Sequence, residues 1–375
     1  MEPKLKVTHV IGGGEFGGAE QHIIQILALM PKHQVLGKVI CFYEAGLSQA
    51  LRERGVDVEV LEYGRFDLRT YFALRKSFKR DQPDIIHTHG VKANFLARLA
   101  CRGLNKTKLV TTVHSLLEFD YPEKAAYFFA SLMEKSTRSR NDHFIAVSHP
   151  IKDSLVQDGV LSLDITVVHH GIDTNRYGQG RDILRKELSL PLNTYMIGAV
   201  TRLVKIKGME HLIDAMPLVL KENALACLVI VGNGPEEESL KEQAAQLGIS
   251  DRVFFLGFRE DIPDCLHSFD CFVSASFSEG LGLNILEAMA ADVPVVVTRV
   301  GGIVDFMRDR ENGLLVEPGS SMDLAAKIIE MMDHRNFAKK LADEGRYRVH
   351  TQFPLDSMAI NTIRVYEKLL RDHHG

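Results

Sequence analysis

The chain has 375 residues, 45% of them apolar and 25% charged, with no tract dominated by one or two residue types. That length exceeds the usual reach of one hydrophobic core and the composition is that of a folded globular protein, so two domains are expected and a disordered chain is excluded. A formal charge of −4 argues against nucleic acid as a principal partner, because neutralising phosphates takes a basic surface.

Residues 1–180 hold 23 Lys and Arg against 20 Asp and Glu, and the remainder hold 22 against 29. The mildly basic first half could meet an anionic lipid surface, although such asymmetry is also common in solvated surfaces. Cys41, Cys101, Cys227, Cys265 and Cys271 form no CxxC pair, which suits a reducing cytoplasm. No apolar run reaches the roughly 18 residues of a membrane-spanning helix, and Met1 to Lys6 lacks the apolar core of a leader peptide. The expectation is a cytoplasmic protein, with the inner face of the membrane as its one candidate surface.

In chain order, short apolar runs alternate with amphipathic stretches, the pattern of a parallel sheet covered by helices on both faces. The first half predicts strands at Val7 to Ile11, Val35 to Phe42, Val56 to Leu61, Ile85 to Thr88, Leu109 to Val113, His143 to Val147 and Ile165 to His169. The second half predicts them at Met196 to Val200, Ala226 to Val231, Val253 to Leu256, Cys271 to Ser274, Val293 to Val297 and Gly313 to Val316. Each half reads as a complete doubly wound unit. Gly171 to Leu190, with Gly178, Gly180 and Pro191 just beyond, reads as the linker, and a site is expected between the domains. Met358, Ile360, Ile363, Tyr366, Leu369 and Leu370 recur at helical spacing in a terminal helix.

The first strand runs into Gly12-Gly13-Gly14-Glu15-Phe16-Gly17-Gly18-Ala19-Glu20. Gly12, Gly14 and Gly17 have the GxGxxG spacing of a dinucleotide site, and Glu44 follows the second strand where a ribose ligand would sit. An NAD-dependent dehydrogenase is therefore an open alternative, as is a tight turn without a ligand. A second turn, Gly232-Asn233-Gly234-Pro235, opens a helix that begins with Glu236, Glu237 and Glu238. Those acids would repel a phosphate, so the loop reads as structural or as a contact to sugar or base.

More specific is the stretch Ser276-Phe277-Ser278-Glu279-Gly280-Leu281-Gly282-Leu283-Asn284-Ile285-Leu286-Glu287. Two glycines leave the backbone open just before a helix, so the N–H groups of Gly280 to Asn284 could hold a diphosphate without a metal. Glu279 and Glu287 flank that cradle; an ionised carboxylate only accepts hydrogen bonds, which suits sugar hydroxyls for Glu279 and the ribose for Glu287. Arg202 follows a strand and Lys207 precedes a helix, a placement that lets both cations reach a leaving diphosphate.

On these residues the chain resembles the GT-B glycosyltransferases of family 4. Glu279 and Glu287 match the family's E-x7-E motif, Arg202 and Lys207 its R…KG segment, Gly17-Gly18-Ala19-Glu20 its first loop, and His114 its Thr-Val-His turn. Gly257-Phe258-Arg259 matches the loop near the donor base, and Gly301-Gly302 continues the pattern. Two positions depart from it: His170 stands where Asn is usual, and Asp305 where Glu is usual.

The resemblance implies two Rossmann-like doubly wound domains facing a cleft. An acceptor-binding domain would span 1–178, a nucleotide-sugar-binding domain 179–356, and a helix over 357–375 would cross back to the first. It also implies a retaining, metal-independent transferase that needs no cofactor, with the nucleotide diphosphate sugar as a substrate and a glycan or lipid-linked acceptor. His114, Arg202, Lys207 and Glu279 would then be catalytic. Gly17, Gly18, Gly257, Phe258, Arg259, Gly280, Leu281, Gly282, Leu283, Asn284 and Glu287 would bind the donor. A sugar-nucleotide epimerase or a phosphorylase of the same fold is the alternative.

Three weaker signals remain. His87 and His89 put two imidazoles on one strand face, and with no Cys or carboxylate nearby in sequence they read as acceptor-side or structural groups rather than zinc ligands. Tyr127-Phe128-Phe129, followed by Lys135, Arg138 and Arg140, reads first as core and second as a membrane-resting stripe. Arg75, Lys76, Lys79 and Arg80 carry the same ambiguity, since a charge run is usually a solvated helix face.

Overall fold

The computed structural model describes residues 5–14, 17–63, 67–121 and 123–371; Glu15 and Phe16 of the first glycine loop lie outside them. The thirteen expected strands all form. The first seven are β1 (Leu5–Ile11), β2 (Val35–Cys41), β3 (Asp57–Val60), β4 (Ile85–His89), β5 (Lys108–Val113), β6 (His143–Ala146) and β7 (Ile165–Val167). They make a parallel sheet in the order β3-β2-β1-β4-β5-β6-β7. The rest are β8 (Met196–Val200), β9 (Cys227–Val231), β10 (Val253–Phe255), β11 (Cys271–Ser274), β12 (Val295–Thr298) and β13 (Leu314–Val316). These make a second parallel sheet, β10-β9-β8-β11-β12-β13. Cys227–Val231 and Val295–Thr298 are buried at every position, as strands covered on both faces must be, and their Val and Ile content suits that environment.

The chain divides into two compact units, residues 1–171 with 355–375, and residues 172–354. The stretch from Gly171 to Leu190 is therefore not a linker. It carries short helices at Thr174–Tyr177 and Leu184–Glu187 and buries Tyr177 and Leu184 in the second unit's core. Arg185 donates to the Thr194 and Ser268 carbonyls and pairs with Asp270. Glycines and charges at sequence level hid these long-range anchors. The terminal helix, Leu355–Arg371, belongs to the first unit, where Met358, Ala359, Ile363, Val365 and Tyr366 join the core around β1 and the Gly18–Leu29 helix.

That core holds an unusual polar layer. His9 of β1 faces His87 of β4 in register, and His89 lies two residues further along the same face. All three are buried, as are His22 and His170. His9 Nδ1 lies 3.0 Å from His89 Nε2, His89 Nδ1 3.0 Å from His114 Nε2, and His114 Nδ1 3.2 Å from His170 Nε2. The terminal helix is tied to this layer, with Tyr366 Oη 2.6 Å from His87 Nδ1 and Met358 Sδ 3.1 Å from His22 Nδ1. Burial keeps the imidazoles neutral, with His9 held down to about 3, His22 to about 4, and His87, His89, His114 and His170 well below the usual histidine range.

These histidines make the first unit sensitive to acid. Once unfolded, each regains an ordinary value near 6.5, so below that pH the unfolded chain binds more protons than the folded one. The stability they contribute is complete above pH 6.5 and is lost as pH falls toward the folded values. For His9 and His22 the loss between pH 7.5 and 5.5 should be about 1.4 kcal/mol each. Urea unfolding at the two pH values checks this, and His22→Gln should make the acid loss shallower.

Candidate active site

In an open parallel sheet, the loops at the carboxyl ends of the two strands where the order reverses splay apart and leave room for a ligand. In the second sheet those strands are β8 and β11. Arg202 and Lys207 follow β8, while Glu279 to Glu287 follow β11. Two groups far apart in sequence thus arrive at one end of the sheet, as their chemistry required.

The loops are joined by main chain and side chain. The Phe277 N–H donates to the Ile206 carbonyl at 2.8 Å, and Gly208, at φ +60°, packs so closely that a Cβ there would overlap the Ala275 carbonyl. Lys207 Nζ donates to Glu279 Oε1 at 2.6 Å, and Ser276 Oγ donates to the same oxygen at 2.7 Å. Thr298 Oγ1 holds the Ser276 carbonyl from β12 at 2.6 Å. The Gly302 N–H donates to the Glu279 carbonyl at 2.9 Å, with Gly301 packed so tightly against that carbonyl that no side chain fits. The expected sugar-binding carboxylate and diphosphate-binding cation are therefore a preformed ion pair. Arg202 stands exposed on its loop.

Behind Glu279 the Leu283–Ala290 helix starts at Gly282, φ +90°. The N–H groups of Ile285 and Leu286 turn back to the Gly282 carbonyl, whereas those of Leu283 and Asn284 are ones a helix start does not itself satisfy. The Asn284 side chain is structural, with Nδ2 donating to the Val200 carbonyl at 2.9 Å. Leu281 is buried in the core, so it can offer only its backbone.

Glu287 lies one helical turn beyond that start. Its Oε1 accepts from the Tyr177 hydroxyl at 2.7 Å. Desolvation pushes its carboxyl up to about 7, against a smaller downward pull from the Tyr177 hydrogen bond and Arg176. The motif chemistry suggests an ionised carboxylate here; in the fold, desolvation works against that charge.

The remaining expected residues are less uniform. Gly257 has φ +64° and open space above it, and its carbonyl accepts from the Gly232 N–H at 2.7 Å. Phe258 beside it is 67% exposed, a free aromatic face. The Arg259 guanidinium is committed to Glu187 at 2.6 Å and Asp261 at 2.7 Å. The Gly232-Asn233-Gly234 turn is structural: the Leu203 N–H donates to the Asn233 carbonyl at 2.9 Å and the Glu236 N–H to the Leu203 carbonyl at 3.0 Å. In the first unit, Gly17 and Gly18 open the helix after β1, where the Gly17 N–H donates to Glu20 Oε2 at 3.0 Å. His114 follows β5 with both ring nitrogens engaged by His89 and His170. Glu44, the ribose ligand of the dehydrogenase reading, is bonded to Ser48 and Arg52 of the helix that follows it. The sequence assigns no role to Tyr177 or Ser276. Neither carries a motif, and only tertiary proximity to Glu287 and Glu279 marks them.

Comparison with known proteins places this geometry. Residues 16–176 match the model of Glycosyltransferase Family 4, and residues 180–348 that of Glycosyl transferases group 1. The N-acetyl-alpha-D-glucosaminyl L-malate synthase of Bacillus anthracis is 27% identical over 317 residues, 84% of this chain and 82% of that protein. The UDP-Gal:alpha-D-GlcNAc-diphosphoundecaprenol alpha-1,3-galactosyltransferase of Escherichia coli is 26% identical over 344 residues, 88% and 89% of the two chains. The crystal structure of Anabaena Alr3699/HepE in complex with UDP-glucose shares the fold, with a TM-score of 0.86 at 24% identity over 97% of this chain and 100% of that one. With both units matched in order and two parallel sheets of the GT-B type, this chain belongs to glycosyltransferase family 4 and is a glycosyltransferase.

Proposed function

We propose that the enzyme transfers a sugar from a nucleoside diphosphate donor to a glycan or lipid-linked acceptor, with retention of anomeric configuration and without a divalent metal, in the synthesis of a cell-surface polysaccharide or glycoconjugate. The observation that carries the donor assignment is the Lys207–Glu279 pair set beside the open start of the Leu283–Ala290 helix. Cleaving the anomeric C–O bond places negative charge on the leaving diphosphate. Lys207, Arg202 and the N–H groups at the helix start would stabilise that charge as it develops, which is the task a metal performs elsewhere. Glu279, paired with Lys207 and hydrogen-bonded by Ser276, suits sugar hydroxyls better than nucleophilic attack. Retention then follows a front-face path in which a donor phosphate oxygen takes the acceptor proton. The first unit receives the acceptor. The names of the E. coli and Anabaena relatives make a uridine donor the first to test. Of these readings only a transferase both needs an acceptor for the sugar and releases nucleoside diphosphate, so product analysis separates it from an epimerase or a phosphorylase.

Calorimetric titration of UDP, GDP, ADP and NAD with EDTA present tests the assignment: one diphosphate should bind, and Lys207→Ala should abolish that binding. The same substitution should lower kcat by about 10²–10³-fold, the usual cost of removing one charge-stabilising donor. Undiminished binding and turnover in Lys207→Ala would remove the site.

Glu287 gives a second test. Ribose recognition needs its carboxylate ionised, so donor KM should fall as pH rises from 6 to 8, through the value of about 7. Glu287→Gln should flatten that profile. Tyr177→Phe removes the hydroxyl that favours the anion and should move the profile to higher pH.

A lipid-linked acceptor is favoured by the Lys124–Thr137 helix. Its expected core stripe faces out instead: Phe128 and Phe129 are each 63% exposed and Leu132 54%, with Lys124 and Lys135 also exposed. An apolar ridge between cations fits an anionic bilayer surface. Replacing Phe128 and Phe129 by Ser should weaken sedimentation with phosphatidylglycerol vesicles about tenfold or more, from the apolar area lost, while binding of the free nucleotide stays unchanged.

A further inference from the structure

The six-histidine layer of the first unit is more than the acceptor reading uses. His9, His87 and His89 each offer a ring nitrogen, and these atoms lie within 4.8 Å of one another. Their ring centroids are 4.9, 5.3 and 4.4 Å apart. A tetrahedral zinc ion holds its nitrogens at about 2.0–2.1 Å, which puts them roughly 3.3 Å from each other. The His9 Nδ1 to His89 Nε2 separation of 3.0 Å is already close to that, and His87 offers a nitrogen within 4.8 Å of both. The backbone supports the same geometry, because His9 and His87 are register partners in neighbouring strands.

The surroundings resemble a ligand set more than a merely packed one. His9 Nδ1 is the nitrogen that faces His89, and His9 Nε2 on the other side of the ring is buried with no hydrogen-bond partner among the described residues, so no hydrogen bond there opposes the ring rotation that an ion would ask for. His87 has Tyr366 Oη at 2.6 Å from one nitrogen and Thr112 Oγ1 at 2.6 Å from the other. Whichever nitrogen turned to an ion, the other would keep an oxygen to fix ring and tautomer, as outer partners of metal-bound histidines do. His89 would likewise keep His114. Burial leaves the rings neutral with lone pairs available. The triad itself supplies neither carboxylate nor thiolate, which disfavours magnesium and calcium and suits zinc, nickel, cobalt or copper.

We propose that His9, His87 and His89 form a three-histidine site for a borderline transition-metal ion, zinc first, which bolts β1 to β4 beneath the terminal helix and takes no part in donor binding. In the sequence His87 and His89 have no Cys or carboxylate nearby to complete a zinc site; the third ligand comes from another strand. The proposal is independent of the donor assignment, since a structural ion sealed in the first unit is compatible with transfer that EDTA does not affect.

The test is full-length protein unfolded in guanidine with chelator, then refolded with Zn²⁺, Co²⁺ or Mg²⁺ and passed through a desalting column. Retention of about one zinc ion per chain, with a raised Tm and no retention of magnesium, is the expected result. Cobalt should give the intense visible absorption of a tetrahedral nitrogen site. His9→Gln and His89→Gln should lose the ion, whereas His149→Gln, outside the triad, should keep it. Failure of the wild type to retain zinc or cobalt overturns the proposal whether or not the variants fold, and retention by His9→Gln and His89→Gln overturns it by placing the ion elsewhere.

Discussion

The 2.6 Å ion pair between Lys207 and Glu279 is the constraint around which the candidate site of the second unit is arranged. Neither side chain is well exposed, at 17% and 9%, and removing one partner would strand a charge in a poorly hydrated place. The surrounding backbone keeps the pair in register. Gly208 lets the Lys207 turn pack against the end of β11, Gly301 and Gly302 hold the Glu279 carbonyl, and Thr298 holds Ser276. The polar groups that would meet a diphosphate are thus set before any ligand arrives, so little reorganisation is left for the reaction.

Glu287 shows how one fold gives two similar acids different properties. Glu279 is bonded to a lysine and a serine, whereas Glu287 is desolvated beside a tyrosine and titrates near neutrality. The difference does not arise from the motif, in which both are simply glutamates. It arises from Tyr177, delivered by a segment that looked like a connector and proved to be part of the core.

The first unit uses the same kind of sheet for another purpose. Where the order reverses between β1 and β4, the face that would ordinarily be aliphatic carries imidazoles, and the terminal helix is fastened to them through Tyr366 and Met358. His170, at the position that departs from the family pattern, ends the chain of rings, with its Nε2 3.2 Å from His114 Nδ1.

Much was legible in the sequence. Strand positions followed from runs of Val, Ile and Leu, because a strand covered on both faces must be apolar throughout. The open helix start followed from Gly280 and Gly282, and the Glu279, Glu287, Arg202 and Lys207 set from its chemistry and its resemblance to a family. What the tertiary structure alone decided is which of these groups meet and in what state. Lys207 pairs with Glu279, Arg259 is drawn to Glu187 and Asp261, Glu287 loses water, Phe128 and Phe129 face outward, and His9 joins His87 and His89. Periodicity and spacing report local backbone geometry, which is written in neighbouring residues. Ion pairing, desolvation and ligand clustering depend on distances between residues far apart in the chain, and only the packed fold sets those.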